Sequence, residues 1–175
     1  MTRDLAVQLY SLRQMAEKDF DAVLKTVADI GFKAVEPAGF WNMTPEEFLK
    51  RINDLGLKLY SSHSPWAKPD NLEETIDIAG RLGLDRVVCG YGPEDYKDLD
   101  AIKRTAETTS MMQEKLEKAG LMLFQHNHNW EFERIDGKLK YEIFAELCPN
   151  VKFEIDFETT EHYTANGNDK ICFTI

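Results

Sequence analysis

Four times along the chain a segment of helical periodicity runs into a glycine, then an apolar residue, then a short β-rich run, and this repeat restricts the fold more than any other feature. The copies read Ile30-Gly31-Phe32-Lys33-Ala34-Val35-Glu36-Pro37, Leu55-Gly56-Leu57-Lys58-Leu59-Tyr60-Ser61-Ser62-His63, Leu82-Gly83-Leu84-Asp85-Arg86-Val87-Val88-Cys89-Gly90 and Ala119-Gly120-Leu121-Met122-Leu123-Phe124-Gln125-His126. Each glycine stands where a helix ends in a residue of positive φ, which glycine adopts without a Cβ clash. The run after it is short and apolar, as buried parallel strands are.

Helix starts are marked as well. Thr44-Pro45-Glu46-Glu47 supplies an N-cap, a proline at the first helical position and a glutamate at the third, and Asn71 to Glu74 repeats the cap-to-third spacing. Phe20, Val23, Leu24, Val27 and Ile30 form one apolar face at 3.6-residue spacing, and Phe48, Ile52 and Leu55 form another. The pattern predicts helices near 17–30, 45–55, 72–82, 99–119 and 140–148, the last stopped by Pro149. With Leu5 to Tyr10 at the start and Val151 to Asp156 near the end, it predicts six strands. No low-complexity linker interrupts the chain, so residues 1–175 are expected to form a single domain.

Alternating strands and helices leave two α/β architectures, the open doubly wound sheet and the closed (β/α)8 barrel. A dinucleotide-binding open sheet carries G-x-G-x-x-G after its first strand, where this chain has Tyr10-Ser11-Leu12-Arg13-Gln14. Reactive or polar groups instead close several strands: Glu36, His63, the His126 to Glu131 segment and Asp156. A barrel collects such groups on its C-terminal face. The expected fold is therefore TIM-barrel-like, with about six βα units.

Within Gln125-His126-Asn127-His128-Asn129-Trp130-Glu131-Phe132-Glu133, two imidazoles and a carboxylate follow the apolar run Leu121 to Phe124. Strand alternation sends His126 and His128 to one side and Gln125 and Asn127 to the other. Glu133 and Glu154 are expected to be solvated or structural. A net charge of -10, with Lys and Arg scattered, argues against a nucleic-acid partner, which needs a basic face. No run of about 18 apolar residues or signal peptide is visible, and Cys89, Cys148 and Cys172 are widely spaced without C-x-x-C. These features point to a cytoplasmic protein in a reducing compartment, with no membrane partner.

The chain resembles the sugar phosphate isomerase/epimerase family of xylose-isomerase-like barrels over residues 4 to about 156. The resemblance rests on Val7-Gln8-Leu9-Tyr10-Ser11-Leu12-Arg13, Gly31-Phe32-Lys33-Ala34-Val35-Glu36, Ser62-His63, His126-Asn127-His128-Asn129-Trp130-Glu131-Phe132 and Phe153-Glu154-Ile155-Asp156. It implies a divalent metal, Mn²⁺, Mg²⁺ or Co²⁺ with Zn²⁺ as a further option, with Glu131 and Asp156 as its first two ligands. It implies a sugar substrate whose enediolate the metal stabilises, with Glu131 as the base that moves the proton. Gln8, Glu36, His63, His126 and His128 would then contact substrate. Trp66 or Trp41 would pack on the sugar face, or else in loops.

The family's later ligands, a His after strand seven and a Glu after strand eight, have no counterpart here, and barrels typically take roughly 250 residues. His162 is the one imidazole after Asp156. A six-strand sheet leaves two edges, which favour pairing between copies and hence a homo-oligomer. Two functions follow: a metal-dependent isomerase or epimerase, or an inactive shorter relative that binds sugar or acts as an oligomerising fold unit. Abasic-site endonuclease activity on the same barrel fits poorly with the acidic composition.

Overall fold

The computed structural model describes residues 5–155. In order, the elements are β1 (Ala6–Gln8), a 3-10 turn (Leu9–Leu12), α1 (Arg13–Ala16), α2 (Phe20–Ile30), β2 (Ala34–Glu36), α3 (Pro45–Asp54), β3 (Lys58–Leu59) and α4 (Leu72–Leu82). There follow β4 (Arg86–Cys89), a 3-10 turn (Pro93–Tyr96), α5 (Leu99–Lys118), β5 (Met122–His126) and a 3-10 turn (Trp130–Phe132). The hairpin β6 (Arg134–Ile135) and β7 (Lys138–Leu139), α6 (Lys140–Leu147) and β8 (Lys152–Glu154) complete the described part.

The two main ladders are parallel and sequential, β1-β2-β3 and β4-β5-β8. Strand order that never reverses is what a (β/α) barrel shows, whereas an open doubly wound sheet reverses at its switch point. The ladders approach where the chain leaves β3: the Ala67 amide donates to the Val88 carbonyl at 2.8 Å, while on the first ladder's own side the His63 amide donates to that of Pro37 at 2.9 Å.

Helices cover the outer face through three apolar clusters. Phe20, Val23, Leu24 and Val27 of α2 and Phe48 and Ile52 of α3 bury against Val35 of β2. Met112 and Leu116 of α5 bury with Ala79 of α4 against Val87, Cys89 and Leu123. Tyr96, Ile102, Ala106, Phe144, Cys148 and Val151 form the third cluster. A fully buried Leu or Phe of this kind contributes roughly 1.5–3 kcal/mol. Cys89 and Cys148 are buried free thiols, while Cys172 lies outside the described residues.

The helix stops behave as the repeat requires: Gly31, Gly56, Gly83 and Gly120 all have positive φ. Thr44 makes a full capping box with Glu47, its Oγ1 accepting from the Glu47 amide at 3.2 Å and its own amide donating to Glu47 Oε2 at 2.7 Å.

Three local expectations change. The first strand is shorter than Leu5 to Tyr10, because the chain coils after Gln8 and sinks Leu9 into the core. The helix expected over 17–30 begins at Phe20, where Asp19 caps it by accepting from the Ala22 amide at 3.0 Å. Asn71 does not cap α4 with its side chain; it turns back to accept from the Lys68 amide at 2.8 Å and to donate to the Trp66 carbonyl at 2.9 Å. The β6–β7 hairpin was not expected. Its Asp136-Gly137 turn, φ 50° and 82°, is the Asp-Gly pairing that two-residue hairpins favour.

Candidate active site

Strand alternation delivers a set of buried polar side chains to the inner side of the two ladders. Gln8 and Glu36 are register partners across β1 and β2, so their side chains point the same way, and Gln8 Nε2 donates to Glu36 Oε2 at 2.9 Å. The hydroxyl of Ser61 donates to the other Glu36 oxygen. His126 and Glu154 are register partners across β5 and β8. His63, on the segment following β3, joins the halves: its Nε2 lies 2.6 Å from Glu154 Oε1 and 3.5 Å from Glu36 Oε2. Glu154 Oε1 is also 3.3 Å from His126 Nδ1. All six groups are buried, at most 8% exposed.

The two carboxyls are driven in opposite directions. Burial raises the Glu36 carboxyl above its usual range; the nearby Glu154 charge adds to this, and His63 with the Ser61 and Gln8 hydrogen bonds only partly offsets it. Burial also works against the Glu154 charge, but hydrogen bonds from His126 and His63, reinforced by their charge, bring its carboxyl down to about 2. Two acids on either side of one imidazole are thereby shifted in opposite senses by their surroundings.

Trp66 roofs this group. Its ring stands edge-on to His63 at 5.0 Å and to His126 at 5.5 Å. It lies directly over Gly90: an ideal Cβ there would sit 1.6 Å from Trp66 Cζ3. Gly90, the last residue of the third sequence repeat, is thus required for close approach, and Asn71 ties down the roof through the Trp66 carbonyl. Trp41 packs elsewhere, stacked on Phe20 at 4.3 Å in the outer cluster.

Among the described residues, the histidine, cysteine and acidic groups gathered closely enough to hold a metal ion are His63, His126 and Glu154, whose ligand atoms lie within 4.8 Å of one another. Two imidazoles and one carboxylate are a donor set used by catalytic zinc sites that keep an open position, and they suit other borderline divalent ions. The donor chemistry therefore fits a divalent metal. Glu131 stands outside this group. It is fully buried, and its Oε2 accepts from the His128 amide at 2.8 Å. Asp156 lies outside the described residues, as does His162.

Glu154 is the residue that sequence reasoning missed. Its signal was available in Val151-Lys152-Phe153-Glu154: Val151 and Phe153 associate with the outer cluster, so alternation turns Glu154 away from the helices toward the His126 side. The expected pair His126 and His128 does share a neighbourhood, with ring centroids 5.2 Å apart.

No protein-family model matches the chain. No curated protein sequence matches it either. Solved structures do share its fold. A sugar phosphate isomerase/epimerase from Parabacteroides distasonis superposes with TM-score 0.70 at 24% identity, over 89% of this chain and 65% of its own. An AP endonuclease family 2 protein from Brucella melitensis superposes with TM-score 0.66 at 14% identity, over 94% of this chain and 72% of its own. An L-ribulose 3-epimerase superposes with TM-score 0.61 at 18% identity, over 94% of this chain and 64% of its own. The described residues thus share the TIM-barrel-like fold of these structures, and the chain spans about two thirds of their length.

Proposed function

We propose that this chain carries the strand-end site of a metal-dependent isomerase or epimerase that acts on a sugar or keto-sugar by proton transfer through an enediolate. The observation that carries the reading is the His63–Glu154–His126 cluster, buried on the inner side of both ladders beneath Trp66. The sugar isomerase/epimerase and the ribulose epimerase that share the fold support it.

His63, His126 and Glu154 would hold the ion, with Zn²⁺, Co²⁺ and Mn²⁺ better matched than Mg²⁺ to two imidazole donors. When bound, the metal supplies Lewis acidity to a carbonyl oxygen, which acidifies the neighbouring C–H. Glu36, whose carboxyl burial raises, stands beside His63 and is oriented by Gln8 and Ser61. Trp66 offers an apolar face for the C–H surface of a sugar ring and limits water access to the carboxylates. His128, with 27% of its side chain exposed, contributes a polar contact at the rim.

Calorimetric titration of the wild-type chain with Co²⁺, Mn²⁺ and Zn²⁺ tests the metal assignment. Uptake that Glu154→Gln and His126→Ala abolish is expected; no uptake, or uptake indifferent to both changes, sinks it. Incubation with a panel of ketoses in deuterated water tests the chemistry. Label appearing at the carbon beside the carbonyl is expected, while ketose binding without label would mark the chain as a sugar-binding unit only.

A further inference from the structure

Two buried polar atoms without a hydrogen-bond partner face each other beside the proposed metal cluster: His128 Nδ1 and Glu131 Oε1, 3.6 Å apart. That separation is just beyond a hydrogen bond, and each atom left bare carries an uncompensated loss of hydration. We infer that Glu131 is a positioning residue that holds the His128 ring in one tautomer, with the proton on Nδ1 directed at the carboxylate and Nε2 left as a bare acceptor for a hydroxyl of a polyol ligand.

The carboxylate is well placed to do this. Its Oε2 already accepts from the backbone amide of His128 at 2.8 Å, so the side chain is fixed to the backbone of the same residue whose ring its other oxygen faces. The single 3-10 turn Trp130–Phe132 folds Glu131 back under His128. The ring cannot easily rotate away: it lies nearly parallel to Trp130, at 4.3 Å and 15°, and edge-on to His126 at 5.2 Å. Nδ1 is sealed while 27% of the side chain is exposed, so exposure falls on the part of the ring away from Nδ1. Behind the carboxylate, burial and then the Glu131 charge push the Tyr96 and Tyr141 phenols up, leaving both as neutral groups that cannot repel it. In a neutral imidazole the two nitrogens take opposite roles, and the partner of one sets the role of the other.

The tautomer is a property of this chain alone; only the use of Nε2 on a sugar hydroxyl rests on the function proposed above. Long-range ¹H–¹⁵N spectra of histidine-labelled protein, with the His128 signals identified by their loss in His128→Gln, read it directly. The wild type is expected to show His128 protonated on Nδ1. In Glu131→Gln the amide oxygen must stay on the His128 backbone N–H, which turns the NH₂ toward the ring, so the tautomer is expected to invert to Nε2–H. An Nε2–H ring in the wild type, or the same tautomer in both proteins, overturns the proposal; the wild-type spectrum decides even if the variant fails to fold. Co²⁺ affinity separates this role from metal ligation: Glu131→Gln is expected to leave it unchanged, and its loss in that variant overturns the positioning role. If the wild type binds no Co²⁺ at all, the metal reading fails while the tautomer measurement still stands.

Discussion

Glu154 Oε1 lies 2.6 Å from His63 Nε2 across 91 positions of sequence, and this contact ties the β1-β2-β3 ladder to the β4-β5-β8 ladder through the interior. Because both groups are buried, removing one leaves the other without its partner in a poorly hydrated place. Glu154→Gln is therefore expected to lower stability by about 3 kcal/mol at neutral pH, measured by urea denaturation. The sign with pH follows from its depressed carboxyl: the contribution is present above the ordinary value of 4.5 and is lost as pH falls through about 2. The gap between wild type and variant should narrow toward acid; a gap constant with pH would show that shape rather than charge sets it.

Glu36 has the opposite linkage. Its carboxyl is raised by burial, so the folded state holds a proton that the unfolded chain releases above 4.5, and stability falls as pH rises through that window. Glu36→Gln keeps an acceptor for Ser61 but cannot ionise. The variant should gain on the wild type as pH increases from acid to neutral in parallel thermal melts. Identical slopes for the two proteins would contradict the raised carboxyl.

Gly90→Ala places a methyl group 1.6 Å from Trp66 Cζ3, far inside contact distance, so the indole must move off the strand end. Overpacking of this kind costs about 1–3 kcal/mol. A red-shifted tryptophan emission is expected together with weakened metal or ketose binding. Unchanged emission and binding would show that Trp66 is not a fixed roof.

Thr44→Ala removes one half of the capping box of α3, at an exposed helix start. A loss of about 1 kcal/mol is expected, with Co²⁺ binding untouched. Metal affinity falling in step with stability would mean that the cluster reports only on global folding.

What the sequence determined by itself is local. Helix ends at Gly31 and Gly83, the Thr44 box, the strands that follow each glycine and the common facing of His126 and His128 all depend on neighbours within a few positions, where backbone sterics and alternation decide. Where local signals competed, as with Asn71, the side chain took the partner that tertiary packing brought near, the Trp66 carbonyl. The barrel order of the strands and the place of Glu154 came only from the tertiary structure. The apolar Val151 and Phe153 settle which way Glu154 faces, but no local pattern states that β8 lies beside β5, or that His63 arrives from the other ladder to meet it. Those are matters of register and sheet closure, set by long-range burial, and they turned an acid expected to be solvated or structural into the centre of the candidate site.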